Sequence, residues 1–146
     1  MENKQRGMAF LEKHRLYTEK MSYIVEQMFC SDRMLGAAKE QFGEEDLRYV
    51  RLLKEKKEMA FRYAALEAHK EVIEETVRRL PPPERKVIER FFLTSDRRFA
   101  AEDLMESLEF EKTHIYRLRD RALRHLGEIL EGEEHYALFT ELFGVD

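Results

Sequence analysis

Three consecutive prolines, Pro81 to Pro83, constrain this chain more than any other feature of its sequence. Proline lacks the backbone N–H that a helix needs, and it disfavours helical geometry in the residue before it. We therefore predict that a long helix ends at Leu80 and that a separate region begins beyond the prolines. The predicted domains are a helical hairpin over 1–80, a DNA-binding domain over 81–130 and an acidic C-terminal helix over 131–146.

Before the prolines, apolar residues recur at helical spacing in two stretches. We predict a first helix over 8–35, a break between Gly36 and Gly43, and a second helix from there to Leu80. The apolar stripe of the first helix consists of Tyr17, Met21, Ile24 or Val25, and Met28. That of the second consists of Leu47, Val50, Leu53, Ala60, Phe61, Ala64, Ala68, Val72 and Thr76. We expect the two helices to form a hairpin that carries an oligomer contact.

Beyond the prolines the predicted elements are shorter. The pattern indicates helices over 84–93, 99–108 and 112–130, with a tight turn before the last, which is typical of a helix-turn-helix. A further amphipathic stretch runs from Glu133 to Phe143. We expect the aromatic residues Phe91, Phe92 and Phe99 at the centre of the small core. No stretch alternates like a strand, so the predicted fold class is all-α.

Charge is unevenly distributed along the chain. Residues 78–127 carry 12 basic and 9 acidic side chains, whereas residues 128–146 carry six acidic side chains and no Lys or Arg. Within the basic segment, the stretch from Lys112 to His125 has five basic side chains and one acidic one. A local basic face indicates a nucleic-acid partner better than the net charge of -4 does.

The last helix of this segment has two distinct faces. Its apolar face consists of Ile115, Leu118, Ala122 and Leu126, and its opposite face consists of Lys112, Thr113, Tyr116, Arg117 and Asp120. A recognition helix needs such an arrangement, because the apolar face fixes it to its neighbours while the polar face presents donors to bases and phosphates. A basic solvated face on an ordinary helix is the alternative interpretation.

The segment from Leu80 to Leu126, and above all the stretch IYRLRDRAL, resembles region 4 of bacterial sigma factors, which reads a promoter element. It is most similar to sigma-region-4-like regulators of phages and prophages, of the ArpU and RinA type. The resemblance implies that Lys112, Thr113, Tyr116 and Arg117 read bases, and that Arg97, Arg98 and Arg121 contact phosphate. At the turn the chain has Glu109 where the family has glycine.

Catalytic and cofactor-binding patterns are missing from the sequence. It has no glycine-rich nucleotide loop and no nucleophile elbow, and its five histidines include no pair spaced for a metal. We expect no enzyme activity, no cofactor and no metal. No apolar run reaches the roughly 18 residues of a membrane helix, and Cys30 alone forms no internal disulfide, so we expect a cytoplasmic protein without a membrane partner.

The predicted function is that of a sequence-specific transcription regulator that binds double-stranded DNA as a homo-oligomer such as a dimer, with RNA polymerase as a further candidate partner. Two alternatives stay open. The first is a helical interaction module that binds RNA polymerase or a regulator without reading DNA. The second is a phage DNA-packaging subunit, which would assemble into a ring.

Overall fold

The computed structural model describes residues 2–132, and all of its regular elements are helical. The elements are α1 (Asn3–Phe42), α2 (Leu47–Val77), α3 (Pro82–Ile88), α4 (Ala100–Leu108) and α5 (Lys112–Glu131). A π-turn over Glu89–Leu93 continues α3. No strand occurs in this part of the chain, so the predicted all-α class is confirmed. The helix predicted over 133–143 lies outside the described residues.

A short turn over residues 78–81 separates α2 from α3. Helix α2 ends at Val77, slightly before the predicted Leu80, whose N–H donates to the carbonyl of Val77 at 3.0 Å. Pro81 has the extended backbone that precedes a helix, with φ -55° and ψ 148°. Pro82 then opens α3 at a position where the missing N–H has no partner to lose.

Helix α1 is longer than predicted. It continues through Gly36 to Phe42, so the predicted break at Gly36 is wrong. A glycine inside a helix costs about 1 kcal/mol relative to alanine, and the hydrogen-bonded turns on both sides outweigh that cost. The break lies instead at Gly43, whose φ of 86° is in the left-handed region that glycine adopts readily. Asp46 then caps α2 by accepting the N–H of Arg48 at 2.9 Å.

The chain divides into two compact units. The first unit consists of the residues up to Arg15 together with those from Glu71 onward, and the second consists of residues Leu16–Lys70. Both α1 and α2 run through the two units. The roles predicted for 1–80 and 81–130 stay predictions.

The first unit has a tightly packed core. Its largest fully buried side chains are Phe10, Leu11, Ile73, Val77, Val87, Ile88, Ile115, Leu118, Leu123, Leu126 and Leu130. Helices α1 and α5 cross at two glycines in this unit. A methyl group on Gly7 would overlap the carbonyl of Leu123, and one on Gly127 would overlap the carbonyl of Asn3. The two backbones are therefore in direct contact, which fixes α5 against α1.

In the second unit α1 and α2 run antiparallel. Tyr17 of α1 contacts His69 near the end of α2, with ring centroids 5.5 Å apart, whereas Asp32 pairs with Lys56 nearer its start. The stripe predicted for α1 lies on the packed side: Tyr17, Met21 and Ile24 are buried and Met28 is half-buried, while Val25 is exposed.

The stripe predicted for α2 is wrong over most of its length. Leu47, Val50 and Phe61 are exposed, as are the alanines at 60, 64 and 68. The half-buried apolar residues of the helix in this unit are Tyr49, Leu52, Leu53, Met59, Tyr63, Ala65 and Leu66. Among them, Ala65 lies one turn after the exposed Phe61, on the same side of the helix. Helix α2 is apolar on two opposite sides, and a single neighbouring helix covers only one of them. The spacing alone therefore did not distinguish the two faces.

Candidate nucleic-acid interface

Helices α3, α4 and α5 surround a small apolar core within the first unit. Its buried members are Val87, Leu104, Ile115 and Leu118, and the side chains packed against them are Phe91, Met105, Leu108 and Phe110. Phe91 is half-buried and packs against this core, and Phe92 is buried, but neither ring lies at its centre as predicted. This core holds the three helices together beneath the surface of α5.

Phe99 does not belong to this core, so its predicted placement is wrong. Its side chain is 69% exposed, and its backbone is left-handed, with φ 58°. The physical reason is local, because Phe99 is the residue at which the chain reverses to begin α4. The left-handed geometry leaves the ring in solvent.

Glu109 forms the turn between α4 and α5. Its φ of 58° lies in the left-handed region, where a residue other than glycine costs about 1 kcal/mol. This is the position at which the sequence resemblance places a glycine. The turn thus has a geometry that suits glycine, although the chain carries a glutamate there.

Helix α5 has one buried face and one basic face. The apolar stripe predicted for it is confirmed, because Ile115, Leu118, Ala122 and Leu126 are all buried. The opposite side carries a line of exposed residues, Thr113, Arg117, Arg121 and Arg124, which we call the basic face of α5. The first turn of the helix carries no acidic side chain.

Arg117 lies in the middle of the basic face. It makes no hydrogen bond or ion pair with any residue between 2 and 132. It lines a shallow concavity along the helix together with Glu111, Thr113, His114, Leu118 and Arg121. Its guanidinium is therefore available to a ligand.

Lys112 and Tyr116 lie at the edges of the basic face. The Nζ of Lys112 is 3.8 Å from Oε1 of Glu102 on α4, an exposed pair that a phosphate could replace at little cost. Tyr116 is half-buried, with its ring 5.9 Å from that of Phe91 and 4.8 Å from the guanidinium of Arg119. Only the outer part of its ring is open to a base.

Arg121 is oriented by a buried carboxylate. Glu84, whose side chain is buried at the start of α3, accepts a hydrogen bond from Nε of Arg121 at 3.2 Å and lies 2.9 Å from Nδ1 of His125. A buried carboxylate needs such partners, and here they tie α3 to α5. The Arg121 side chain is still 67% exposed. Sequence reasoning did not identify this cluster, because no local pattern links residues so far apart.

The two arginines of the loop before α4 have different environments. Arg97 donates to the carbonyl of Phe92 at 2.9 Å and lies 3.5 Å from Glu12 on α1, so it connects the loop to that helix. Arg98 is exposed and donates to both carboxylate oxygens of Asp96 at 3.1 Å. These hydrogen bonds lower the pKa of Asp96. Arg98 is thus the better placed of the two to meet a phosphate.

Two further arginines were missed by sequence reasoning. Arg90 organises the loop by donating to Asp103 on α4 at 2.7 Å and to the carbonyl of Asp96 at 2.8 Å. Arg124 is exposed on the basic face, two turns beyond Arg117. That spacing is visible in the sequence and could have identified Arg124, whereas the contacts of Arg90 are tertiary.

Comparison of the chain with protein-family models, with curated proteins and with solved structures found no match. Within residues 2–132, no helix is both long and apolar enough to cross a membrane. The same residues include no group of three His, Cys, Asp or Glu side chains arranged to hold a metal ion.

Proposed function

We propose that this protein is a sequence-specific DNA-binding transcription regulator of the sigma-region-4-like type, encoded by a phage or prophage. The observation that carries the proposal is the basic face of α5, which stands opposite a fully buried apolar stripe. A helix fixed along one side and basic along the other suits the major groove, which admits an α-helix. We also propose that the protein acts in the cytoplasm and that RNA polymerase is one of its partners.

In this proposal the base contacts come from the N-terminal half of α5. Arg117 would donate two hydrogen bonds to a guanine, since its guanidinium has no competing partner among residues 2–132. Thr113 and Lys112 lie on the preceding turn, and the outer part of Tyr116 adds contact area at the edge. These side chains would determine which DNA sequence the protein prefers.

Phosphate contacts come from the residues around this face. Arg121 is oriented by Glu84, and Arg98 is exposed on the loop before α4. Both would reinforce binding to any duplex, without regard to its sequence. Arg97 is less accessible to a phosphate, because it is half-buried and donates to the carbonyl of Phe92, whereas Arg98 is exposed although it pairs with Asp96.

A second candidate function is a module that binds a protein partner without reading DNA. The exposed ring of Phe99 favours it, because a large apolar side chain beside the charged Arg98 suits a protein surface better than a phosphate backbone.

Selection of bound sites from a random duplex library tests the proposal. We expect one motif to be enriched, and the enriched duplex to bind more tightly than a shuffled duplex at several salt concentrations in a mobility-shift assay. Affinity for both duplexes should fall as salt rises. The slope of the logarithm of the binding constant against the logarithm of the salt concentration should decrease in magnitude by about one for each phosphate-contacting arginine that is replaced. Recovery of no motif, together with binding to a polymerase subunit, would favour the second candidate.

A further inference from the structure

The outward side of α2 in the second unit is apolar and uncovered. We call this surface the outer face of α2, and it consists of Leu47, Val50, Phe61, Ala64 and Ala68. Phe61 is 78% exposed, and the long side chains of Lys54, Lys57, Glu58 and Arg62 surround it. A helix that is apolar on two opposite sides is usually packed on both. The outer face is therefore a candidate contact surface.

The order of large and small residues around Phe61 indicates what that partner is. If two copies of α2 pack antiparallel with Phe61 at the centre, residues equally far before and after Phe61 face each other. The facing pairs are Lys54 with Ala68, Lys57 with Ala65, and Glu58 with Ala64. Each long side chain thus meets an alanine, which lets the helices approach closely while the aliphatic stems cover the apolar surface. A parallel arrangement would instead place each lysine opposite itself.

The charges near Phe61 support the same arrangement. Glu58 and Arg62 lie one turn apart on α2, and neither forms an ion pair with any residue in the described part of the chain. Antiparallel packing about Phe61 brings Glu58 of each copy close to Arg62 of the other. Two ion pairs related by a two-fold axis result, which is the self-complementarity that a symmetric dimer requires.

The exposed apolar residues of α1 lie on two sides of that helix, and Val25 and Phe29 line a shallow concavity together with Met28, Asp32 and Tyr63. Val25 and Phe29 are one turn apart on one side of the helix, whereas Tyr23 and Met34 lie on another. No pattern of long and short residues accompanies either pair. They therefore serve as a control for exposed apolar surface in general.

We propose that two copies of this chain form a dimer through the outer faces of α2, packed antiparallel about a two-fold axis at Phe61. The inference extends the proposed function by naming the oligomer contact, because a two-fold dimer would carry two copies of α5 for a symmetric DNA site. It does not depend on DNA binding, since the dimer is measured without DNA. A monomeric protein would therefore contradict the dimer without contradicting DNA binding, and a protein that does not bind DNA could still form the dimer.

The mass in solution, measured by light scattering at micromolar concentration, is the first test. The 17.6 kDa chain should have twice its monomer mass. Phe61→Glu should halve that mass, and the matched variant Phe29→Glu, at a ring 66% exposed on α1, should leave it unchanged. Circular dichroism establishes that both variants are folded. A monomeric wild type, or a Phe61→Glu variant that stays dimeric, would overturn the proposal.

Disulfide trapping tests the register and also decides the question if Phe61→Glu fails to fold. In a Cys30→Ser background, the double variant Lys57→Cys/Ala65→Cys should give a covalent dimer on mild oxidation. Its two thiols lie about 12 Å apart along their own helix, too far to bond within one chain. Lys57→Cys alone should give almost none. Equal trapping by the single and double variants, or none by either, would rule out this packing.

Discussion

The two compact units differ in how completely they bury their apolar residues. The largest fully buried side chains all lie in the first unit, where the ends of α1 and α2 pack with α3, α4 and α5. The second unit has only two helices, and most of the exposed large apolar residues of the described chain lie there. Each helix of a pair has one covered side, so a pair leaves apolar surface uncovered unless its outer sides are polar.

Because their apolar residues are buried to different extents, the two units present different kinds of surface. The first unit completes its own core and presents a basic face, which suits a charged ligand such as DNA. The second unit presents apolar residues on α2, which suit another protein surface. The two proposals accordingly assign DNA to the surface of the first unit and a second copy of the chain to that of the second.

The largest expected effect is the loss of a core side chain from the first unit. Leu126→Ala should lower the free energy of unfolding by about 2 to 5 kcal/mol, because it leaves a cavity among fully buried neighbours. The control Met34→Ala, at an exposed residue of the second unit, should change it by less than about 0.5 kcal/mol. Urea denaturation at equilibrium measures both. If both variants lose similar amounts of unfolding free energy, the first unit is not more tightly packed than the second.

The same substitution at two glycines should have opposite effects. Gly127→Ala should destabilise the protein by about 1 to 3 kcal/mol, since its methyl group would overlap the carbonyl of Asn3. Gly36→Ala should stabilise it by about 0.5 to 1 kcal/mol, because Gly36 is helical with open space around it. Thermal unfolding of both variants measures the difference. If Gly127→Ala leaves the melting temperature unchanged, α1 and α5 are not in contact at this point.

A smaller gain is expected at the turn before α5. Glu109→Gly should stabilise the protein by about 1 kcal/mol, because glycine adopts a φ of 58° without strain. Glu109→Ala removes the same carboxylate but keeps the strain, so it should give no such gain. If alanine and glycine stabilise equally, the charge and not the backbone is responsible.

The smallest effect is a pH dependence in the second unit. Burial lowers the pKa of His69 below its usual 6.5, so the unfolded chain binds a proton that the folded chain does not. Stability should therefore fall as the pH drops below about 6.5 and toward the folded-state value. His69→Leu should reduce the difference between the melting temperatures at pH 7 and pH 5. An unchanged difference in His69→Leu would contradict this origin.

Sequence patterns predicted α5 well because its two sides differ sharply. Apolar residues at helical spacing on one side and donors on the other leave one way to bury the helix, and the bounds Lys112–Glu131 nearly match the prediction. The same reasoning failed for α2, where both sides are apolar. Which side packs depends on α1, and no pattern within α2 contains that information.

Other features depend on contacts between distant parts of the chain. The crossing of Gly7 and Gly127 joins the two ends of the described chain, and Glu84 meets Arg121 and His125 only through the packing of α3 on α5. The exposure of Phe99 follows from one left-handed residue, which its apolar character does not signal. Residue types identified both loop arginines as candidates, but the structure shows that Arg98 is exposed and paired with Asp96, whereas Arg97 is half-buried and bound to Phe92.

The central claim is that Arg117 on the basic face of α5 reads a base. Fluorescence anisotropy titration of the selected duplex and a shuffled duplex tests it directly, with the exposed Arg33→Ala as control. Arg117→Ala should weaken binding to the selected duplex by about 1 to 3 kcal/mol and reduce its preference over the shuffled one, while Arg33→Ala should change neither. Wild-type affinity and preference in a folded Arg117→Ala variant would contradict the claim.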